Sequence, residues 1–264
     1  MMPLRLWLRK RRLQRALQGY PIYDPPHKIE ERLLSRERAA ENFDYFMRVR
    51  LDRCAHLIRW VRQQFGYEVS LDEEGLRSLC RWGNKYAGLL LVEDGDGHLP
   101  DSYFTYDPPW VGSNAGNNVI FDFGIVLGEI ILSSCPLLRW DLDPISKILP
   151  KTGKLLKETS GMSFQRPLIS GFNNPAYRVI PLHQSYIFAM NMRVNTTSMQ
   201  GIRKFREGPR FAQRSILDGP INLFRQTMAD YPEGDPSGLL REVGPDEFFK
   251  LSDEEANRTE AKDD

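Results

Sequence analysis

Apolar residues recur at helical spacing over much of the chain, and this pattern predicts a largely helical protein. From Ile29 to Phe65, Phe43, Met47, Cys54, Ile58, Val61 and Phe65 fall on one face, with Leu33 and Ala40 leading in, so one long helix or two joined near Asn42 is expected. Arg48, Arg53, Arg59 and Arg62 lie mainly off that stripe and are expected on the solvated side. Gly66 ends the helix, and a second follows in "VSLDEEGLRSLCRW", with Ser70 as N-cap, Glu73 completing a capping box, and Leu76, Leu79 and Cys80 facing the core.

After an extended "GLLLVEDGDG" and a long loop rich in Gly, Pro and Asn, residues 119–134 form an apolar run long enough to favour a buried helix over a strand. "LLRWDLDP" and "QRPLISGF" then read as short strands, each closed by a turn signal. A lysine-rich polar connection lies between them. A helix is favoured around Leu182, Tyr186, Ala189 and Met190, with Pro181 in its first turn, and a last helix or helix pair is broken at Gly219-Pro220. The fold class expected is α+β, predominantly helical, with a small sheet of short strands after the 119–134 helix.

Charge divides the chain further. Residues 1–18 carry Arg5, Arg9, Lys10, Arg11, Arg12 and Arg15 and no acid, while residues 246–264 hold eight acids against three bases. The expected organisation is a basic N-terminal arm at 1–18, a Pro-rich linker at 19–28, a single α+β domain at 29–243 and an acidic disordered tail at 244–264. On a helical wheel the arm has two apolar patches, Leu4, Trp7 and Leu8 on one side and Leu6, Leu13, Ala16 and Leu17 on the other. A membrane-surface helix favours one broad apolar face, so a mobile arm or a helix packed on a partner is preferred, with attraction to nucleic acid or an anionic membrane available through charge.

The arm has no uninterrupted apolar segment of the kind a secretory signal needs. The 119–138 run is interrupted by Asp122, Glu129 and Pro136, so no transmembrane helix is expected. Three cysteines without zinc-ligand spacing fit a reducing, cytoplasmic setting better than a disulfide framework.

The chemistry offered is sparse. His27, His56, His98 and His183 are scattered, and neither HExxH, GxSxG, GxGxxG nor a kinase signature occurs, so no metal or cofactor is implied. "EDGDGH" departs from the EF-hand template, and Thr152-Gly153-Lys154 has Ile148 where a P-loop needs its first Gly.

What stands out is a pair of acids inside the 119–134 run. On a helix Asp122 and Glu129 share a face two turns apart, roughly 10 Å along the axis, at the outer limit for carboxylates flanking a scissile bond. One reading is a hydrolase or transferase using Asp122, Glu129 and a basic residue such as Arg139. The other, favoured, is that Glu129 is a structural acceptor for an arginine or for a loop's backbone N–H groups, which leaves Asp122 the less explained of the two. Gly124 and Gly128 beside them imply that another element packs close.

"SLDEEGLRSLCRW", then "FDFGIVLGEIIL", then Trp140 in a strand and Pro167 in a second strand, resemble a pattern in small uncharacterised bacterial α/β domains, several of them proposed as immunity proteins of polymorphic toxin systems or accessory proteins in similar loci. Leu127, Gly128, Glu129, Trp140 and Pro167 carry the match. The 93–118 loop, the lysine-rich insert and both termini depart from it. The resemblance implies a non-enzymatic, cytosolic protein-interaction fold whose partner is another protein. Tyr103, Phe104, Tyr106 and Trp110, in the long loop, are residues of the type that anchors such interfaces.

Overall fold

The computed structural model describes residues 4–29, 31, 34–91, 115–142, 165–172, 178–197 and 199–230. In chain order the elements are α1 (Leu4–Ala16), α2 (Arg36–Phe65), α3 (Glu73–Leu90), α4 (Ala115–Ser134), β1 (Arg139–Leu142), β2 (Pro167–Ser170), α5 (Pro181–Thr196), α6 (Met199–Glu207), α7 (Arg210–Leu217) and α8 (Gly219–Asp230). The protein is α+β and predominantly helical, with, among the described residues, one antiparallel two-stranded sheet in which Trp140 pairs with Ile169 and Leu142 with Pro167. Tyr103, Phe104, Tyr106 and Trp110, expected to anchor an interface, and the acidic stretch 244–264 lie outside the described residues.

The core sits around α4. Of its side chains Val119, Ile125, Val126, Leu127, Ile130 and Ile131 have no exposed surface, and α2, α3, α5 and α8 pack about it. Among the described residues α4 is the one helix long and apolar enough to cross a membrane, and 78% of its most apolar window is buried inside the fold.

Glycines set how closely α5 approaches. A Cβ at Gly124 would fall 2.7 Å from Leu182 Cα, and one at Gly88 would fall 2.4 Å from the Arg193 backbone nitrogen. Both helices can thus meet α5 nearly backbone to backbone, an approach that a side chain at either position would block.

Helix ends follow local chemistry. Ser35 caps α2, accepting from the Arg38 N–H, and Gly66 ends it in the left-handed region at φ 76°. For α3 the capping residue is Asp72, not Ser70: the Gly75 N–H donates to Asp72 Oδ1 at 2.8 Å, and the Ser70 hydroxyl donates to the same oxygen at 2.7 Å. The backbone hydrogen bond from Gly75, with that hydroxyl, holds the Asp72 carboxyl below its ordinary value. A carboxylate at this position also meets the positive end of the helix dipole. The expected last helix pair occurs as α7 and α8, with the break at Asp218 and Gly219-Pro220 opening α8, whereas α6 has no counterpart among the expected elements.

The N-terminal segment departs from the expected detached arm. Residues 4–16 form α1, whose Leu6 and Leu13 are buried. The Trp60 indole donates to the Ala16 carbonyl at 3.0 Å, and Arg12 donates to the Gln64 carbonyl while its guanidinium lies 5.2 Å from the centre of the Phe65 ring. The expected linker is equally part of the body, since Tyr20 and Tyr23 are both buried. Tyr20 meets His56 and Trp60 edge-on at 5.0 and 5.1 Å.

Candidate functional site: two arginine–carboxylate pairs between α2 and α4

The long helix α2 buries a broad arc: Cys54, Val61 and Phe65 of the expected face, and beside them Ala39, Asn42, Phe46, Arg53, Leu57 and Trp60. From Phe46 the latter row runs 46, 50, 53, 57, 60, an alternation of four and three that places Arg50 and Arg53 in the middle of the inward stripe. Phe43, Met47 and Ile58 are only partly buried against the core. Arg48, Arg59 and Arg62 are exposed as expected, whereas Arg53 is buried.

Arg53 meets Asp122 across the α2–α4 interface. Its Nε donates to Oδ1 at 2.6 Å and its Nη2 to Oδ2 at 3.1 Å, while the Tyr20 hydroxyl donates to Oδ2 at 2.6 Å. The same Nη2 lies 3.3 Å from the Pro21 carbonyl and 3.4 Å from Asn118 Oδ1, which also accepts the Tyr23 backbone N–H at 2.5 Å. Asp122 and Asn118 have no exposed surface. Charge and hydrogen-bonding capacity are thus matched within one closed network, the condition under which a buried ion pair is tolerated. Burial pushes the Asp122 carboxyl up to about 6, against the opposing pull of the Arg53 guanidinium and the Tyr20 hydroxyl. Burial, together with the neighbouring Asp122 charge, raises the Tyr20 phenol well above its ordinary value, so it stays a donor.

Glu129 has a separate set of partners. Its Oε1 accepts the Arg50 Nε at 3.2 Å and the Trp140 indole N–H at 2.8 Å. Arg50 also donates to the Met47 carbonyl. Trp140 lies on β1 with its ring over Gly128, where a Cβ would come within 2.1 Å of Cζ2, and edge-on to Phe46 at 5.0 Å. Three of the residues that carry the family resemblance, Gly128, Glu129 and Trp140, therefore form one contact cluster. Leu127 is buried beside them, and Pro167 enters the sheet opposite Leu142.

These placements bear on the carboxylate-pair reading. Asp122 and Glu129 answer to different arginines, and Arg139, the proposed basic partner, is exposed on β1 and takes no part in either set. Cys54 lies within the field of both acids. Burial, then the charges of Glu129 and Asp122, push its thiol up to about 12, so it is neutral at pH 7 and poorly nucleophilic. Among the described residues no group of three or more His, Cys, Asp or Glu side chains is placed to hold a metal ion.

A further, buried pair joins the segment before α2 to the segment before β2. Arg166 Nε lies 3.4 Å from Glu31 Oε2, and the Gln165 amide donates to the Glu31 and Leu34 carbonyls at 2.9 Å each. Gln165 has φ 57°, a left-handed backbone that those two bonds hold in place. Tyr23, Asn42, Gln165 and Pro167 border a cavity of about 20 Å³ there, enough for a single water.

The residues missed from the sequence are Arg50, Arg53, Tyr20 and Asn118. A signal for the arginines was present in their four-three spacing with Phe46, Leu57 and Trp60, which is as regular as the neighbouring stripe. Comparison with models of known protein families, with curated proteins and with solved structures returned no match.

Proposed function

We propose that this chain is a non-enzymatic protein-interaction module of the bacterial, cytosolic, immunity-like or accessory kind, acting on another protein. One observation carries the reading: each acid on α4 is satisfied by an α2 arginine inside the fold, Asp122 with no exposed surface, so the pair serves packing rather than substrate. The Gly128–Glu129–Trp140 cluster adds support, because the residues shared with the immunity-like pattern secure the β1 strand to α4.

The test is affinity capture of the full chain co-expressed with the product of each neighbouring gene. A one-to-one complex with a toxin, and relief of that toxin's growth inhibition, is the expected result. Failure to form any stoichiometric complex, beside neighbours that are not toxins, overturns the reading. The competing hydrolase or transferase reading predicts a turnover that Glu129→Gln abolishes while the fold persists.

A further inference from the structure

The two apolar patches of α1 have different surroundings. Leu6 and Leu13 are buried against the body, with Ala16 and Leu17 packed beside them. On the opposite side Leu4 is 71% exposed, Leu8 52% and Trp7 40%. At 100° per residue Trp7, Arg11, Leu4, Arg15 and Leu8 share one outward arc, apolar in the first two turns and basic in the next two. Arg5 and Lys10 flank it, both exposed, and α1 holds no acid. The Arg11 guanidinium sits 4.8 Å from the centre of the Trp7 ring, which ties the apolar and cationic halves together.

We infer that this outer face of α1 docks on an anionic lipid bilayer surface. One apolar patch is consumed in fixing the helix to its own domain, which leaves the other free for an external surface. An exposed Trp flanked by two leucines suits the headgroup boundary, where an amphipathic ring meets both hydrocarbon and water. The cations beside them complement the negative potential of acidic lipids. A nucleic-acid backbone would use the same cations, but it would leave Leu4 and Leu8 in water, whereas a bilayer satisfies both halves of the arc. The inference is independent of the partner reading above, since it rests on α1 and not on the α2–α4 interface.

The experiment is co-sedimentation of the full chain with extruded vesicles of phosphatidylcholine, with and without about a third of phosphatidylserine. The expected result is partition onto the anionic vesicles, suppressed by salt, with a blue shift of tryptophan emission that Trp7→Ser removes. Arg11→Gln with Arg15→Gln should weaken partition by about thirtyfold, about fivefold per cation. Leu4→Ser with Leu8→Ser should weaken it also, and because all these side chains are exposed, thermal unfolding of the variants should match that of the parent. Absence of partition onto the anionic vesicles, or partition that neither pair of substitutions changes, overturns the inference. Salt-sensitive retention on duplex DNA without retention on vesicles overturns it in favour of a nucleic-acid surface.

Discussion

Arg53 holds Asp122 through two hydrogen bonds of 2.6 and 3.1 Å at a depth where the carboxylate has no exposed surface. The pair spans the interface between the two longest helices, and Tyr20 bonds the same carboxylate from the N-terminal segment. Three separate stretches of chain therefore depend on one side chain.

Asp122→Asn should accordingly destabilise the protein by about 3–5 kcal/mol at pH 7, because it leaves the Arg53 charge buried without its counterion. Arg53→Met combined with Asp122→Leu should cost much less than the sum of the single changes. Urea unfolding of the four proteins in a double-mutant cycle measures the coupling. Additive effects would show that the pair does not act as a unit.

The pH dependence of that deficit has a definite sign. The Asp122 carboxyl has a folded value of about 6, raised by burial above about 3.9 in the unfolded chain. Between these values the folded state binds more protons, so this group adds stability as pH falls from about 6 to about 4, and that contribution is lost as pH rises through 6. The deficit of Asp122→Asn relative to the parent should therefore widen by about 2 kcal/mol on going from pH 7 to pH 4, since only the parent gains from protonation at this site. Other carboxylates are common to both proteins and cancel in the difference. A deficit that shrinks on acidification would contradict the raised value.

Close packing at the glycines predicts a ranking. Gly128→Ala drives a methyl into the Trp140 ring, and relief by ring displacement would strain the indole bond to Glu129. A cost of about 1–3 kcal/mol and a changed Trp140 emission are expected. Gly88→Ala meets the α5 backbone, which cannot rotate aside, so it should cost more. Thermal unfolding of the two variants side by side decides the order.

Cys54, Cys80 and Cys135 are all buried, and burial raises each thiol above its ordinary value. A chromogenic disulfide reagent at neutral pH should therefore label them only as the fold opens, with full labelling in denaturant. Fast labelling of any one in the folded protein would mean that its burial is not maintained.

Much of the architecture was legible in the pattern of apolar positions. The helix at 119–134, the strands around Trp140 and Leu168 and the helix starting at Pro181 all occur. On α2 the expected face is realised in part, with Cys54, Val61 and Phe65 buried and Phe43, Met47 and Ile58 partly so, but the buried arc is broader and takes in Phe46, Arg53, Leu57 and Trp60 beside it. Placing Arg53 on the solvated side with Arg48, Arg59 and Arg62, and giving Arg50 no part, hid both inward cations. No local rule reveals that a buried acid some seventy positions later will neutralise an arginine in a core row. The cap of α3 was misplaced for a simpler reason: Ser70 and Asp72 are both good capping residues, and the choice depends on where the Gly75 N–H points. For α1 the wheel already separated two apolar patches, but which of them faces the body depends on the tertiary surface formed by Trp60 and Phe65.

The ribosome makes the partners of the central pair at different times. Tyr20 and Arg53 emerge early, and Asp122 follows Arg53 by 69 residues, the difference of their positions. At about 5–20 residues per second that interval is roughly 3–14 s. During it α2 has a cation on the side it must bury and no acid to set against it, so water is its only adequate surrounding. The long helix can form early, yet it should stay unsealed until α4 is synthesised, which makes arrival of the Asp122 segment the event that commits the nascent chain to its core.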